Sequence, residues 1–480
     1  MGLREDHRSC VGYVESETDS EAATPVNRFL ISAAHKSSGK TVVSAGLAAA
    51  LTQRGHQVST FKKGPDYIDP MWLGLACGQP CWNLDFFTMG NDEIRECFMR
   101  QSAGADVVLI EGNKGLFDGL DVEGGDSNAA LAKLLGIPVV LVIDVTGMTR
   151  GIAPLLSGYT AFDPEVRFAG VVLNRVAGPR HESKLRAAIN RYTDLPVLGA
   201  IPRSEELRIE ERHLGLITSA EHDQADIWLD SVAKTVDAAV DIEALLGLTD
   251  GFTEEMLVEP VKAKQTKDLR IAIARDKAFG FYYPDDLTAF DRAGAELVPF
   301  DSLNDQQLPD VDGLFIGGGF PEQFMEQLSA NKRMLESVRK FIEEGGPAYA
   351  ECGGLMYLCR SMRLSDAVVE LVGVIPADVV MEDRPVGRGY MVCTSTAAHP
   401  WPNVARAAPQ SYRFHEFHYS RLVNLSDSSE TVFEVNRGYG IDGKTDGYVC
   451  HNLLATYAHQ RQVRDNPWVD RFVEFVRSCH

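Results

Sequence analysis

Two segments of the chain carry residue types in an order that supports chemistry. One is Ala348-Tyr349-Ala350-Glu351-Cys352-Gly353-Gly354-Leu355. It reads as an apolar strand that passes through a small-residue turn into a helix, a nucleophile elbow with Cys in place of Ser. The turn projects the Cys352 sulfur, and the helix N-terminus behind it is expected to lower the thiol pKa. The Gly353 N–H is a candidate oxyanion donor, and the glycine-rich strand end Gly317-Gly318-Gly319 offers a second through Gly318 and Gly319. A lone cysteine is usually a buried structural residue, but Glu-Cys-Gly-Gly after an apolar strand argues against that here. A thiol nucleophile needs a base. His459 in Tyr457-Ala458-His459 is the favoured candidate, with His415, His418 and His451 in competition. His415-Glu416-Phe417-His418 has the look of a metal site, yet in a strand Glu416 and His418 share one face and His415 points to the other.

The second segment is His35-Lys36-Ser37-Ser38-Gly39-Lys40-Thr41, between an apolar strand and a helix. A P-loop asks for Gly, four residues, then Gly-Lys-Ser/Thr. Ala34 holds the first Gly position, so the match is incomplete, but the physics fits. Backbone N–H groups of Ser37, Ser38 and Gly39 can surround phosphate oxygens at the positive end of a helix. Lys40 would neutralise the β- and γ-phosphates, and the Thr41 hydroxyl would ligate Mg²⁺. The alternative is a serine-rich turn that merely caps a helix. A Mg²⁺–nucleotide site also needs carboxylates, and two strand ends supply them. Asp66 and Asp69 follow Phe61-Lys62-Lys63-Gly64, while Glu111 ends the strand Val108-Leu109-Ile110, where a Walker-B-type acid belongs, with Asp118 beyond it. Taken singly, each acid is as easily a turn or cap residue.

Around these segments the chain has the rhythm of α/β folds. Strand-like apolar runs come at 29–33, 58–61, 106–110, 138–145, 168–173 and 197–201, and a helix is expected from Thr41 to about Arg54, capped by Gly55. Continuous rather than alternating apolar runs predict a mainly parallel sheet covered on both faces, with ligands at the carboxyl ends of its strands. A second α/β block opens at 269–274 and continues through 296–300, 313–316 and 347–350. The expected organisation is a flexible extension over 1–27, a P-loop domain over 28–256, a linker over 257–267 and a second domain over 268–480. With 480 residues, two large domains or about three of ordinary size are expected. Lys+Arg is 47 against Asp+Glu 68, a net charge of −21, which makes nucleic acid and anionic membranes poor partners. No apolar run is long enough to span a bilayer, and the N-terminus has no signal-peptide core. Nine scattered cysteines fit a reduced cytoplasmic protein. Cys77 and Cys81 lack the second pair that a zinc site requires.

Seven motifs in one order identify a resemblance. GPDYIDP (64–70), EGNKGLFDG (111–119), ARDKAFGFYYPDDL (274–287), GGGFPE (317–322), ECGGL (351–355), HEFHYS (415–420) and the terminal YAH (457–459) together resemble the cobyrinate a,c-diamide synthase family over roughly residues 28–475. The resemblance implies a P-loop domain similar to dethiobiotin synthetase, followed by a class I glutamine amidotransferase domain. The activity implied is amidation of the a and c acetate side chains of a modified tetrapyrrole, with glutamine as nitrogen source, ATP, and Mg²⁺. On this resemblance Cys352 is the glutaminase nucleophile and His459 its base. Ser37, Ser38, Gly39, Lys40 and Thr41 hold ATP, and Thr41, Asp66 and Glu111 serve Mg²⁺. Lys62, Asp66, Tyr67, Asp69, Lys114 and Asp118 lie on the substrate and acyl-transfer side. Lys62, Lys63, Arg150, Arg175 and Arg180 are candidates to meet an anionic tetrapyrrole, each of them as easily a solvated surface charge.

Two departures stand out. Many class I amidotransferases carry Glu two residues after the His, and this family often a second His; here the residue is Arg461, so the third member of the triad is unassigned. Where the family often reads EGVMGL, this chain has Asn113-Lys114. That variant, the run 384–390 and the block 180–184 look most like the sirohaem-amidating branch, which is linked to dissimilatory sulfite reductase. The expected substrate is therefore sirohaem, with sulfite reductase pathway proteins as partners and a homodimer as a candidate assembly. Cobyrinate in cobalamin synthesis is the alternative, and a non-catalytic tetrapyrrole carrier a weaker one.

Overall fold

Seven strands of continuous apolar sequence build the first sheet: β1 (Asn27–Ala33), β2 (Val58–Lys63), β3 (Cys81–Leu84), β4 (Val107–Glu111), β5 (Val139–Asp144), β6 (Phe168–Val176) and β7 (Val197–Pro202). The computed structural model describes residues 26–480 except 210, 213–214, 220, 223, 250–265, 402–403, 405–408 and 427–428. Residues 1–25 of the expected extension and 257–265 of the expected linker lie outside the described residues. The strand order is β3-β2-β4-β1-β5-β6-β7, and every neighbouring pair is parallel. Parallel pairing requires crossovers that pack helices on both faces. One face is covered by α1 (Lys40–Gln53), α2 (Ile68–Cys77) and the helix Ala225–Ala239. The other is covered by helices 91–101, 128–135, 152–162 and 179–192. Every residue of β2 is buried, its two lysines included. Because all the strands run one way, the loops after β1, β2, β4, β5 and β6 gather at one edge of the sheet.

The second block is a nine-stranded sheet. Its first five strands are parallel, in the order Ala295–Phe300, Leu269–Ala274, Gly313–Ile316, Ala348–Glu351 and Leu453–Thr456. Four antiparallel strands extend it: Thr445–Cys450, Thr431–Arg437, Gly387–Ser395 and Ser411–His418. Helices Lys332–Glu343 and Gly353–Leu358 pack on one face, together with a separate four-stranded sheet. Helices Pro284–Arg292 and Trp468–Ser478 pack on the other. Trp468, Phe472 and Val476 on the last helix are fully buried. Each such side chain contributes about 1.5–3 kcal/mol of hydrophobic stabilisation. The elbow strand Ala348–Glu351 therefore lies inside the sheet, held between two parallel neighbours. No helix among the described residues is long and apolar enough to cross a membrane.

Candidate active sites and the seam between them

At the edge of the first sheet the loop after β1 reverses through Ser37 (φ 62°) and Gly39 (φ 83°) and enters α1. Gly39 is required twice over. Its φ is left-handed, and a Cβ there would lie 2.3 Å from Asn174 Nδ2. Asn174, on β6, donates from Nδ2 to the Ser38 carbonyl at 2.9 Å and so fixes the loop. The Ser38 hydroxyl donates to the His35 carbonyl at 2.8 Å. Lys40 donates to the Lys114 carbonyl at 2.7 Å, and the Thr41 hydroxyl to Glu111 Oε1 at 2.8 Å. Burial, with Lys62 close by, brings Lys40 down to about 8.

The loop ends of β2 and β4 complete this constellation. Lys62 is fully buried and ion-paired with Asp69 and, at 2.9 Å, with Glu111. Burial alone would strip its proton, but Asp69, Glu111 and Asp66 together hold it well above the lysine range. Burial pushes Glu111 up to about 7, against the pull of Lys62, and Asp66 up to about 6, with Asp69 adding to the rise. Asp66 Oδ1 accepts the N–H groups of Ile68 at 2.9 Å and Asp69 at 3.1 Å, capping α2. Asp118 is exposed and accepts the Gly115 N–H at 3.0 Å. Asn128 ties the segment down by donating to Ser32 Oγ and to the carbonyls of Asn113 and Gly115.

Three expectations change here. Lys62 is not available to a bulky anion, because its ammonium is committed to Asp69 and Glu111 inside the sheet. Lys63 is equally buried, with its ammonium 3.2 Å from Asn113 Oδ1. Lys114 bears on Lys40 through its carbonyl, at a strained φ of 40°, while its side chain is exposed. Arg150 and Arg175 are exposed at the same sheet edge, Arg150 over Tyr192 and Arg175 paired with Asp144 at 2.6 Å. Arg180 is also exposed.

In the second sheet the elbow is formed. Cys352 has φ 46° and ψ −101°, a conformation that L-residues adopt only when the surroundings impose it. Its N–H donates to the Thr456 carbonyl at 2.7 Å, so the elbow is locked to the neighbouring strand. The register pairs Glu351 with Thr456 and Ala348 with Leu453. His459, three residues beyond Thr456, therefore stands at the elbow, whereas His451 precedes Leu453 at the opposite end of the strand. A Cβ on Gly318 would lie 2.6 Å from His459 Cε1, and one on Gly353 would lie 3.0 Å from the Gly319 nitrogen. Gly318, Gly319, Gly353, Cys352 and His459 thus share one small space. Glu416 and His418 are buried on one face of their strand, 3.7 Å apart, and the His418 ring stacks on Tyr457. His415 is joined to His459 through backbone hydrogen bonds in both directions.

The expected lowering of the thiol pKa is reversed. Burial pushes the Cys352 thiol well up, and Glu322, Glu351 and Asp446 add to the rise. The following helix has only six residues, too little to offset that. Burial thus favours the neutral thiol, which calls for a base to take its proton during reaction. Burial, with His418 adding, brings His459 down to about 3, which favours the neutral imidazole. Its Nδ1 faces Glu351 Oε2 at 3.5 Å. Glu351, Asn174 and Asn128 were not singled out from sequence. For Glu351 the signal lay in the motif itself, one residue before the thiol.

The two constellations meet across a seam. The Tyr67 ring, next to Asp66, packs against Tyr283 (4.4 Å), Phe281 (5.2 Å) and His459 (5.2 Å) of the second block. Arg461 is buried there, paired with Asp285 at 2.7 Å, lying over Tyr283, and donating to the Asn83 carbonyl at the end of β3. Further out, Tyr390 donates to Asp85 at 2.6 Å and stacks on Phe87. The Arg that stands where a triad acid is usual is thus a fastener between the two blocks.

Comparison with known proteins agrees with this division. Residues 30–217 match the CobQ/CobB/MinD/ParA nucleotide binding domain, and residues 270–467 match the CobB/CobQ-like glutamine amidotransferase domain. The chain is similar to the cobyrinate a,c-diamide synthase of Magnetococcus marinus, at 46% identity over 94% of this chain and 98% of that protein. It is 39% identical to that of Archaeoglobus fulgidus, over 94% of this chain and 97% of the relative. It is 37% identical to that of Methanosarcina acetivorans, over 92% and 94%. A nucleotide-binding sheet joined to a glutamine amidotransferase sheet, shared with such relatives over nearly their whole length, makes this chain an enzyme of the cobyrinate a,c-diamide synthase family.

Proposed function

We propose that this enzyme amidates the a and c acetate carboxylates of cobyrinate, using ATP and taking nitrogen from glutamine. The observation that carries the reading is the seam: the buried elbow that bears Cys352, with His459 at its end, and the loop before α1 ringed by acids lie on either side of one tyrosine, Tyr67, in a single chain. A carboxylate is a poor acyl acceptor for nitrogen because its charge repels nucleophiles. Transfer of the γ-phosphoryl group of ATP to it gives an acyl phosphate, which ammonia converts to the amide with release of phosphate. Ammonia is mostly ammonium at neutral pH, so an enclosed source beside the acyl phosphate is needed. The Cys352 thiol adds to the glutamine amide carbon while its proton passes to His459. The N–H groups of Gly353 and Gly319 face the oxyanion. His459 returns the proton to the leaving ammonia, and water then cleaves the thioester to glutamate.

On the synthetase side, Ser37, Ser38 and Gly39 cradle the phosphates, and Lys40 leaves the Lys114 carbonyl to meet them. Mg²⁺ fits the residues present. Glu111 Oε2 is buried with no hydrogen-bond partner, while Oε1 of the same carboxylate accepts the Thr41 hydroxyl. Hard oxygen donors of this kind suit Mg²⁺, which takes one or two protein oxygens besides phosphate and water. When bound, it would offset phosphate charge. Asp69 is neutralised by Lys62, so Asp66 and Asp118 are the acids left to face the acyl end of the site.

The sirohaem reading and its sulfite reductase partners rest on Asn113-Lys114 and the surface runs near 180 and 384. The Asn113 side chain meets Lys63, so that half of the variation has a use that does not involve the macrocycle. The three relatives compared carry the cobyrinate name. The test is a turnover panel with Mg²⁺-ATP and glutamine, offered cobyrinate, sirohaem and nickel sirohydrochlorin separately, with products read by mass spectrometry. Successive replacement of two carboxyl OH groups of cobyrinate by NH₂ supports the reading. Amidation confined to sirohaem overturns it.

A further inference from the structure

Glu351 and His459 are both essentially buried, at 2% and 4% exposure. Glu351 Oε1 accepts two hydrogen bonds, from the Tyr349 hydroxyl and the Gln460 N–H, both at 2.7 Å. Its other oxygen, Oε2, faces His459 Nδ1 at 3.5 Å. That nitrogen is buried and makes no hydrogen bond, so Oε2 is the acceptor positioned to take its proton when the two draw together. Among the described residues no other carboxylate comes within 4 Å of a His459 nitrogen. The other acids nearby are occupied. Asp446 accepts the Tyr457 and Ala458 N–H groups, Glu416 accepts those of Tyr439 and Gly440 and faces His418, and Asp285 holds Arg461. Asp286 accepts the Gln462 N–H and the Trp468 indole.

We infer that Glu351 is the orienting member of the glutaminase triad, supplied from the residue before the nucleophile rather than from two residues after the base. The inference rests on the assignment of Cys352 and His459 as the glutaminase pair. Sheet geometry makes it work. Glu351 and Thr456 are register partners on adjacent parallel strands, so the acid that ends one strand reaches the base just beyond the end of the other. The sharp turn at Cys352 sets the thiol at the same pair of strand ends, beside the space that Gly318 shares with the His459 ring. With the neutral thiol favoured, the base must present a bare Nε2 to it, and that requires the proton on Nδ1. Only an acceptor facing Nδ1 enforces this tautomer. The two donors on Oε1 favour the ionised, accepting form against the rise that burial imposes. Glu351 touches neither glutamine nor the reacting sulfur in this role; it is a positioning residue.

The test replaces Glu351→Gln, which keeps shape but turns a donor toward Nδ1 and imposes the opposite tautomer. Glutamate release from glutamine is measured with Mg²⁺-ATP and cobyrinate, beside amide formation from ammonium chloride. The expected result is a fall in kcat of about 10²-fold or more, a KM for glutamine changed by less than about threefold, retained ammonia-driven synthesis, and partial recovery in Glu351→Asp. An unchanged kcat, or an effect confined to KM, overturns the inference. Cys352→Ala separates the two readings: if it still uses glutamine, the thiol assignment has failed, and if it alone is inactive, only the role of Glu351 has. Should the glutamine variant not fold, the parent answers directly. In the full chain with ¹⁵N-labelled histidine, the His459 resonances, identified by their loss in His459→Ala, should show hydrogen on Nδ1. Hydrogen on Nε2 overturns the inference.

Discussion

Replacing Glu351 by Gln should stabilise the protein, and by an amount that grows with pH. Burial raises this carboxyl from 4.5 to about 8 in spite of two donors on Oε1. A group whose folded pKa lies above its unfolded one binds more protons when folded, so its contribution to stability declines as pH rises between the two values. Below about 4.5 the acid is neutral in both states and costs nothing. Above about 8 the fold must carry a buried charge, and at 1.36 kcal/mol per pH unit that costs up to about 5 kcal/mol. The neutral amide removes the charge and keeps the volume. The gap between variant and parent should therefore be about 1 kcal/mol at pH 5.5 and several kcal/mol at pH 9. At roughly 2–4 °C per kcal/mol for a domain of this size, the difference in Tm reaches on the order of 10 °C at high pH. Circular dichroism melts of both proteins from pH 5.5 to 9 read this directly. A gap that is flat across that range, or a variant less stable throughout, would refute the view that Glu351 is a buried charge kept for function rather than for the fold.

Other consequences are as direct. Cys352→Ala should abolish glutamine-dependent amidation, by about 10³-fold or more, while ammonium chloride still supports synthesis; loss of both in a folded variant would contradict separable sites. Lys40→Ala should lower amide formation with either nitrogen source by at least about 10²-fold, followed as ADP release and product mass. Arg461→Met should leave both half-reactions measurable but let ammonia escape at the loosened seam, so glutamate formed per amide rises above one; a ratio that stays at unity would show that Arg461 does not hold the two blocks together.

The sequence was most readable where chemistry is local. The loop before α1 and the elbow at Cys352 are each written in a few consecutive residues, and the buried parallel strands announce themselves as unbroken apolar runs. The antiparallel half of the second sheet was harder to see. Strands such as Gly387–Ser395, with glycine at 387 and 389 and a half-buried face, lack the continuous apolar signal of β4 or β5. The burial of Lys62 was not legible, because a Lys-Lys pair at a strand end suggests surface. The acids that hold it inside come from α2 and β4, seven and 49 residues away. Asn174 escaped notice for the same reason, since its partner Ser38 is 136 residues distant.

The thiol shows the limit most clearly. A helix N-terminus after a cysteine is a local feature that argues for an acidic thiol, but how deeply the sulfur is buried is decided by the whole sheet, and here burial wins. With burial favouring the neutral thiol, the demand on His459 changes: it is asked to be a base in one tautomer rather than the partner of a preformed thiolate. That demand gives a reason for an acid buried at position 351 beside a histidine and no cation. An acid two residues after the histidine would be a local device, visible in a motif. One placed at the end of the neighbouring strand depends on the pairing of Glu351 with Thr456, and pairing is what a motif does not spell out. On the inference that the triad is completed from within the elbow, the position two residues after the base is free to carry Arg461, which binds the glutaminase to the strand end that borders the nucleotide site.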